Sequence, residues 1–117
     1  MLEESREATR SMFSNKLPDA VFVANDHMAL AVMDTLRYEL GLKVPDDVSI
    51  VGYDDVPAAS WPSYLLTTVQ QPVNIMVRET VEILIEKIEN SHARPQKIKI
   101  DGPLILRNST KTQKGYI

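Results

Sequence analysis

Apolar positions along this chain recur with two periods, and the breaks between periodic segments fall at proline, glycine and aspartate. Leu2, Ala8, Met12 and Phe13 lie among charges and predict a helix over residues 2–14. Pro18 ends it, because proline lacks an N–H and disfavours helix in the residue before it. "AVFVA" (20–24) is a continuous apolar run of the kind found in strands buried on both faces. Asn25 and Asp26 stop that strand. From His27 to Leu40 the positions Met28, Ala31, Val32, Thr35, Leu36 and Leu40 follow helical spacing, and Gly41 stands where a helix commonly ends.

"KVPDD" (43–47) reads as a turn and "VSIVGY" (48–53) as a second buried strand. Residues 54–64, with Pro57, Trp61 and Pro62, are irregular, and "LLTTVQ" (65–70) is a third strand. Pro72 suits the first position of a helix running to about Asn90. That helix carries Val73, Met76, Val77, Val81, Leu84 and Ile88 on one stripe, widened by Ile75, Ile83 and Ile85. So broad a stripe is normally buried, and the two readings are core packing within this chain or an exposed apolar patch that drives association. Ile98, Ile100, Leu104 and Leu106 alternate as an edge strand broken at Gly102-Pro103, and the polar tail from Asn108 is expected to fray. Strands alternating with helices imply an α/β fold, a parallel sheet flanked by helices.

Composition narrows the function. With 117 residues the chain holds one domain at most. A net charge of -3 without a basic patch argues against a free-standing nucleic-acid binder. There is no cysteine, hence no disulfide or thiolate metal site. No apolar run approaches the roughly 18 residues that span a bilayer, and the N-terminus is too polar for a secretory signal, so a cytoplasmic location without membrane contact is expected.

In open parallel sheets ligands bind beyond the carboxyl ends of the strands. Three polar clusters fall there: Asn25-Asp26, Asp54-Asp55 and Gln70-Gln71. Amides and carboxylates with no positive charge among them suit a neutral polyhydroxylated ligand, a sugar or a nucleoside, better than a phosphate. Asp26 is a natural N-cap for the following helix and Asp55 a turn residue, whereas Asn25 and Asp54 come first after their strands. No cofactor or metal site is expected. An enzyme would need a positioned acid/base pair or nucleophile, and neither His27 nor His92 has a partner in sequence. A phospho-accepting receiver domain would want a lysine after a late strand, where "LLTTVQQP" has none.

Five segments in order resemble the effector-binding region of lactose/galactose-repressor-type (LacI/GalR) bacterial transcription regulators. They are Pro18-Asp19-Ala20, Asn25-Asp26-x-Met28-Ala29, "VPDDVSIVGYDD" (44–55), "LTTVQQP" (66–72) and Arg107-Asn108-Ser109-Thr110. The resemblance implies a periplasmic-binding-protein-like, Rossmann-like three-layer fold and an effector of sugar or nucleoside class. It matches Asn25 and Asp54 to residues that hydrogen-bond sugar hydroxyls, and Gln70 to a ligand contact of related sugar-binding proteins. It leaves Asp26 and Asp55 to the turns. Homodimers of the family pair through the segments matching 27–41 and 56–64, which brings forward Leu30, Met33, Asp34, Arg37, Tyr38, Trp61 and Tyr64; Trp61 has a second reading as a plug against the core. The family's DNA-reading helix-turn-helix and most of its N-terminal subdomain have no counterpart in the sequence. Residues 1–117 are therefore expected to be a C-terminal portion of the effector domain, reaching DNA only through an N-terminal domain. A periplasmic sugar-binding protein is the alternative, although "LTTVQQP" and "RNST" favour the regulator.

Overall fold

A computed structural model describes residues 1–112. Three strands, β1 (Ala20–Phe22), β2 (Ser49–Asp54) and β3 (Thr67–Gln70), run parallel and adjacent in chain order. The short β4 (Leu104–Ile105) joins β3 antiparallel, so the sheet is mixed. Helices α1 (Leu2–Met12) and α2 (Asp26–Asp34) stack on one side, and α2 continues through a π-helical turn, Thr35–Glu39. Gly41 then takes φ +66°, a left-handed conformation open to glycine and suited to ending the helix.

The core lies between α2 and the sheet: Ala29, Val32, Met33 and Leu36 meet Val23, Val48, Ile50 and Leu66, with Phe13 and Ala59 closing the ends. The α1 surface against α2 is unlike the expected one. Ser5 and Thr9 are buried, their hydroxyls turned back onto Met1 and Ser5 carbonyls, while Leu2 and Met12 stay exposed. Small side chains let the two helices approach. Across their far end Arg10 forks onto Glu39 at 2.6 and 2.9 Å and holds the Glu39 carboxyl below the usual carboxylate range.

One expectation about layers is corrected, and the open reading of the long helix after Pro72 falls to exposure. β1 is buried on one face only: Phe22, 65% exposed, points away from α2, as do Val51 and the exposed Tyr53 on β2. The long helix α3 (Val73–Glu89) forms as expected, but none of its residues is buried and it does not flank the sheet. The radius of gyration, 18.4 Å, exceeds the roughly 13 Å of a compact chain this long. The excursion is pinched at its base: Gln70 N–H donates to the Pro103 carbonyl at 2.9 Å, and a side chain at Gly102 would collide with the Gln70 carbonyl.

Nor does the chain fray from Asn108. Ser109 is buried between β2 and β3, where its hydroxyl accepts from Thr67 N–H (2.8 Å) and donates to the Ile50 carbonyl (2.6 Å), while its carbonyl accepts from Ile50 N–H (2.8 Å). The alternating run before it is regular only at β4, and Ile98 and Ile100 lie outside any strand. The end of the predicted tail, residues 113–117, lies outside the described residues. Ser109→Ala should leave Thr67 N–H and the Ile50 carbonyl short of a partner and cost about 1–3 kcal/mol. Urea unfolding should show a lower midpoint at unchanged slope, and an unchanged midpoint would mean the hydroxyl bridges nothing of consequence.

Candidate functional site

The sheet register brings two of the three expected ligand residues side by side. Asp54 pairs with Gln70 across β2 and β3, while Asn25 follows the end of β1 by three residues, past its last pairing of Phe22 with Val51, and opens α2. A hollow of about 390 Å³ is lined by Gln70, Gln71, Pro72, Val73, Asn74 and Ile75, so that Gln70 reaches it and Asn25 and Asp54 do not line it.

Each of the three side chains is already half engaged. Asn25, and not Asp26, caps α2: its Oδ1 accepts from Met28 N–H at 2.9 Å, and only its Nδ2, facing Met28 Sδ, stays free for a stronger acceptor. The Asp54 Oδ1 accepts from the Gln71 side chain, leaving Oδ2. Gln70 donates through Nε2 to Asp55 Oδ2 at 2.8 Å, leaving Oε1. The spare capacity is one donor and two acceptors, a pattern that hydroxyl groups satisfy.

Asp26 has a larger part than a cap. It is fully buried, and its two oxygens accept from the Thr68 hydroxyl at 2.7 Å and from Val56 N–H at 3.0 Å. One carboxyl thus ties the start of α2 to β3 and to the turn after β2. Gly52 lies beneath it, where a Cβ would overlap Asp26 Oδ1 and come within 2.9 Å of Leu66 Cδ2. The turn itself is strained. Asp54 takes φ +138° and Asp55 φ +60°, conformations costing of order 1–3 kcal/mol each in non-glycine residues. Strain of that size persists only where neighbours over-determine it, and here Gln71, Gln70 and Asp26 all hold the turn.

A positive charge does reach the rim, against expectation. Arg107 places Nη2 2.7 Å from Asp55 Oδ1 and donates through Nη1 to the Leu66 carbonyl at 2.9 Å. Its only trace in the sequence was its place in the late "RNST" segment. Among the described residues no group of three or more His, Asp or Glu side chains is arranged to hold a metal, and no helix is long and apolar enough to cross a membrane. A separate apolar cavity of about 170 Å³ lies between α1 and β1 and reaches Ala24 and Met28, next to Asn25.

The predicted dimer residues divide. Met33 is fully buried in the core and is withdrawn: α2 is covered by the sheet on one side and by α1 on another, so its buried arc is wider than a single stripe. Leu30 and Tyr64 are half-buried against the core. The Tyr64 hydroxyl donates to Asp34 at 3.1 Å, and burial together with that carboxylate pushes its pKa up. Arg37 donates to the Ser63 carbonyl, which fastens the 61–64 loop to the end of α2. Tyr38 (81% exposed) and Trp61 (57% exposed) stand out from this joint, so Trp61 is no core plug.

Comparisons with known proteins fit this architecture. Residues 1–110 match the family described as a periplasmic binding protein-like domain. The HTH-type transcriptional repressor PurR of Vibrio campbellii is 40% identical over 96 residues, 82% of this chain and 28% of the repressor. A LacI-type transcription regulator from Bifidobacterium animalis superposes with a TM-score of 0.86 at 34% identity, over 96% of this chain and 40% of that one. A complex of the transcriptional regulator CelR with cellobiose gives 0.85 at 34% identity, over 93% of this chain and 33% of the regulator. The chain belongs to the periplasmic binding protein-like family. Within it, the sequence is of the kind found in the effector-binding domain of LacI/GalR-type regulators, and its named relatives are a transcriptional repressor and a transcription regulator. It spans between a quarter and a half of the length of the proteins it matches.

Replacing Asp26 by Asn sets an amide N–H₂ against a donor that the carboxyl accepted from, and should cost about 1–3 kcal/mol. Gly52→Ala should cost at least as much through its clash with the same carboxyl. In Asp26→Asn/Gly52→Ala the two losses should sum to visibly more or less than additive in urea unfolding, since the sites touch. Strict additivity would show that the two sites are independent.

Proposed function

We propose that the chain is the effector-sensing and dimerisation portion of a LacI-type transcriptional regulator of the cytoplasm. In this reading a small sugar-like or nucleoside-like ligand lies against Asn25, Asp54 and Gln70, and its binding controls DNA contacts made elsewhere in the regulator. The observation that carries it is the pairing of Asp54 with Gln70 at the carboxyl ends of β2 and β3, with Asn25 opening the helix that follows β1. Spare donors and acceptors with no free cation among them favour hydroxyls over phosphate. The cellobiose complex of a structural relative supports the ligand class.

One wall buries only part of a ligand, so the chain by itself should bind weakly, with dissociation constants of about 1 mM or above. Amide NMR titrated with cellobiose and with adenosine should show shifts confined to Asn25, Asp54 and Gln70, lost in Asp54→Ala. Shifts at the α1–β1 cavity instead, or micromolar binding, would overturn the assignment.

Association through a second copy follows from two exposed surfaces. One is the joint carrying Tyr38 and Trp61, with Leu30, Asp34, Arg37 and Tyr64 around it; the other is the α3 stripe. Covering each large aliphatic of that stripe is worth roughly 1.5–3 kcal/mol. Sedimentation over a concentration series should show self-association, weakened by Tyr38→Glu with Trp61→Glu if the joint mediates it and by Val81→Glu with Leu84→Glu if α3 does. A monomer at every concentration would remove both surfaces.

A further inference from the structure

We propose that Arg107 is the positioning residue of the ligand site, acting through Asp55 on Gln70; the proposal rests on the reading of Asn25, Asp54 and Gln70 as that site. Asp54 and Asp55 are adjacent carboxylates in a strained turn, Asp54 accepting from the Gln71 side chain and Asp55 from Gln70. The Arg107 guanidinium meets Asp55 Oδ1 at 2.7 Å, where the two side chains are only 17% and 11% exposed, and holds that carboxylate in place. The other oxygen of Asp55 then accepts from Gln70 Nε2 at 2.8 Å. A carboxylate oxygen opposite Arg107 can only accept, so Gln70 must present its nitrogen inward and its carbonyl oxygen to the ligand site. The guanidinium thereby sets the hydrogen-bonding sense of a residue it never touches.

Arg107 is itself fixed by groups outside the ligand site. Its Nη1 donates to the Leu66 carbonyl at 2.9 Å and its backbone N–H to Thr67 Oγ1 at 3.0 Å, while the next two N–H groups, of Asn108 and Ser109, donate to the Leu65 carbonyl at 2.9 and 3.1 Å. The segment after β4 is thus anchored at the start of β3, and its one long side chain reaches back to the turn after β2. A lysine would not substitute: one ammonium cannot hold both the Leu66 carbonyl and the carboxylate in the planar fork that guanidinium offers.

The test is side-chain NMR on the chain without ligand. In the unsubstituted protein the Gln70 Nε2 protons should exchange with water about tenfold more slowly than those of exposed Asn74, as expected for a charge-assisted bond. Arg107→Met should remove that difference while the Thr67 and Ser109 backbone amides stay protected. Unchanged Gln70 exchange would overturn the proposal, and so would loss of Thr67 and Ser109 protection in step with Gln70, which would make Arg107 a strand anchor only. If Arg107→Met does not fold, Arg107→Lys gives the same comparison, with Gln70 exchange expected to rise severalfold and an unchanged rate counting against the role. No ligand enters the measurement, so its failure leaves the ligand titration standing, and failure of the titration leaves this coupling standing.

Discussion

Almost everything at the carboxyl edge of the sheet refers back to the Asp26 carboxyl. Buried without a cation beside it, it is stabilised by the Thr68 hydroxyl and Val56 N–H, and those two bonds lock α2, β3 and the turn after β2 together. Space for it exists because Gly52 has no side chain. A buried acceptor of this kind is costly if either partner moves away, so the geometry behaves as a single state and not as a range of compromises. The strained Asp54-Asp55 pair can persist because it is built on that foundation.

Above it sits a second tier, polar and more exposed. Asn25, Asp54 and Gln70 each spend one atom on the protein and keep one for a visitor. Because half of each side chain is already bonded, little rotational freedom remains to be lost when a ligand arrives, which is the physical content of preorganisation. The rim is acidic at its outer face and neutralised by Arg107 at its inner one.

How much of this could be read from the residues depends on the range of the cause. Strand and helix positions were legible because Pro18, Gly41 and Pro72 punctuate them locally. The neighbouring positions of Asp54 and Gln70 were legible too, since strand ends and parallel topology are enough to bring those two level. What resisted reading was set at a distance. "AVFVA" looks the same whether a second layer covers it or not. Met33 turned inward because α2 has two partners, a fact that one helical period cannot carry. The N-cap fell to Asn25 because Asp26 was already claimed by Thr68, 42 residues away. Arg107 lies 52 positions from its carboxylate, and no window of sequence joins them.

The pinch between Gln70 and Gly102-Pro103 has a consequence for how such a chain can change. The excursion from Pro72 to Asp101 leaves and rejoins the sheet at nearly the same point, and it contributes nothing to the buried core. Its ends behave like the two contacts of a socket. Insertions or shortened helices beyond Ile75 would leave the Asp26 bonds and the Arg107 clamp in place, whereas changes at Pro72 to Ile75 would reshape the hollow that these residues line.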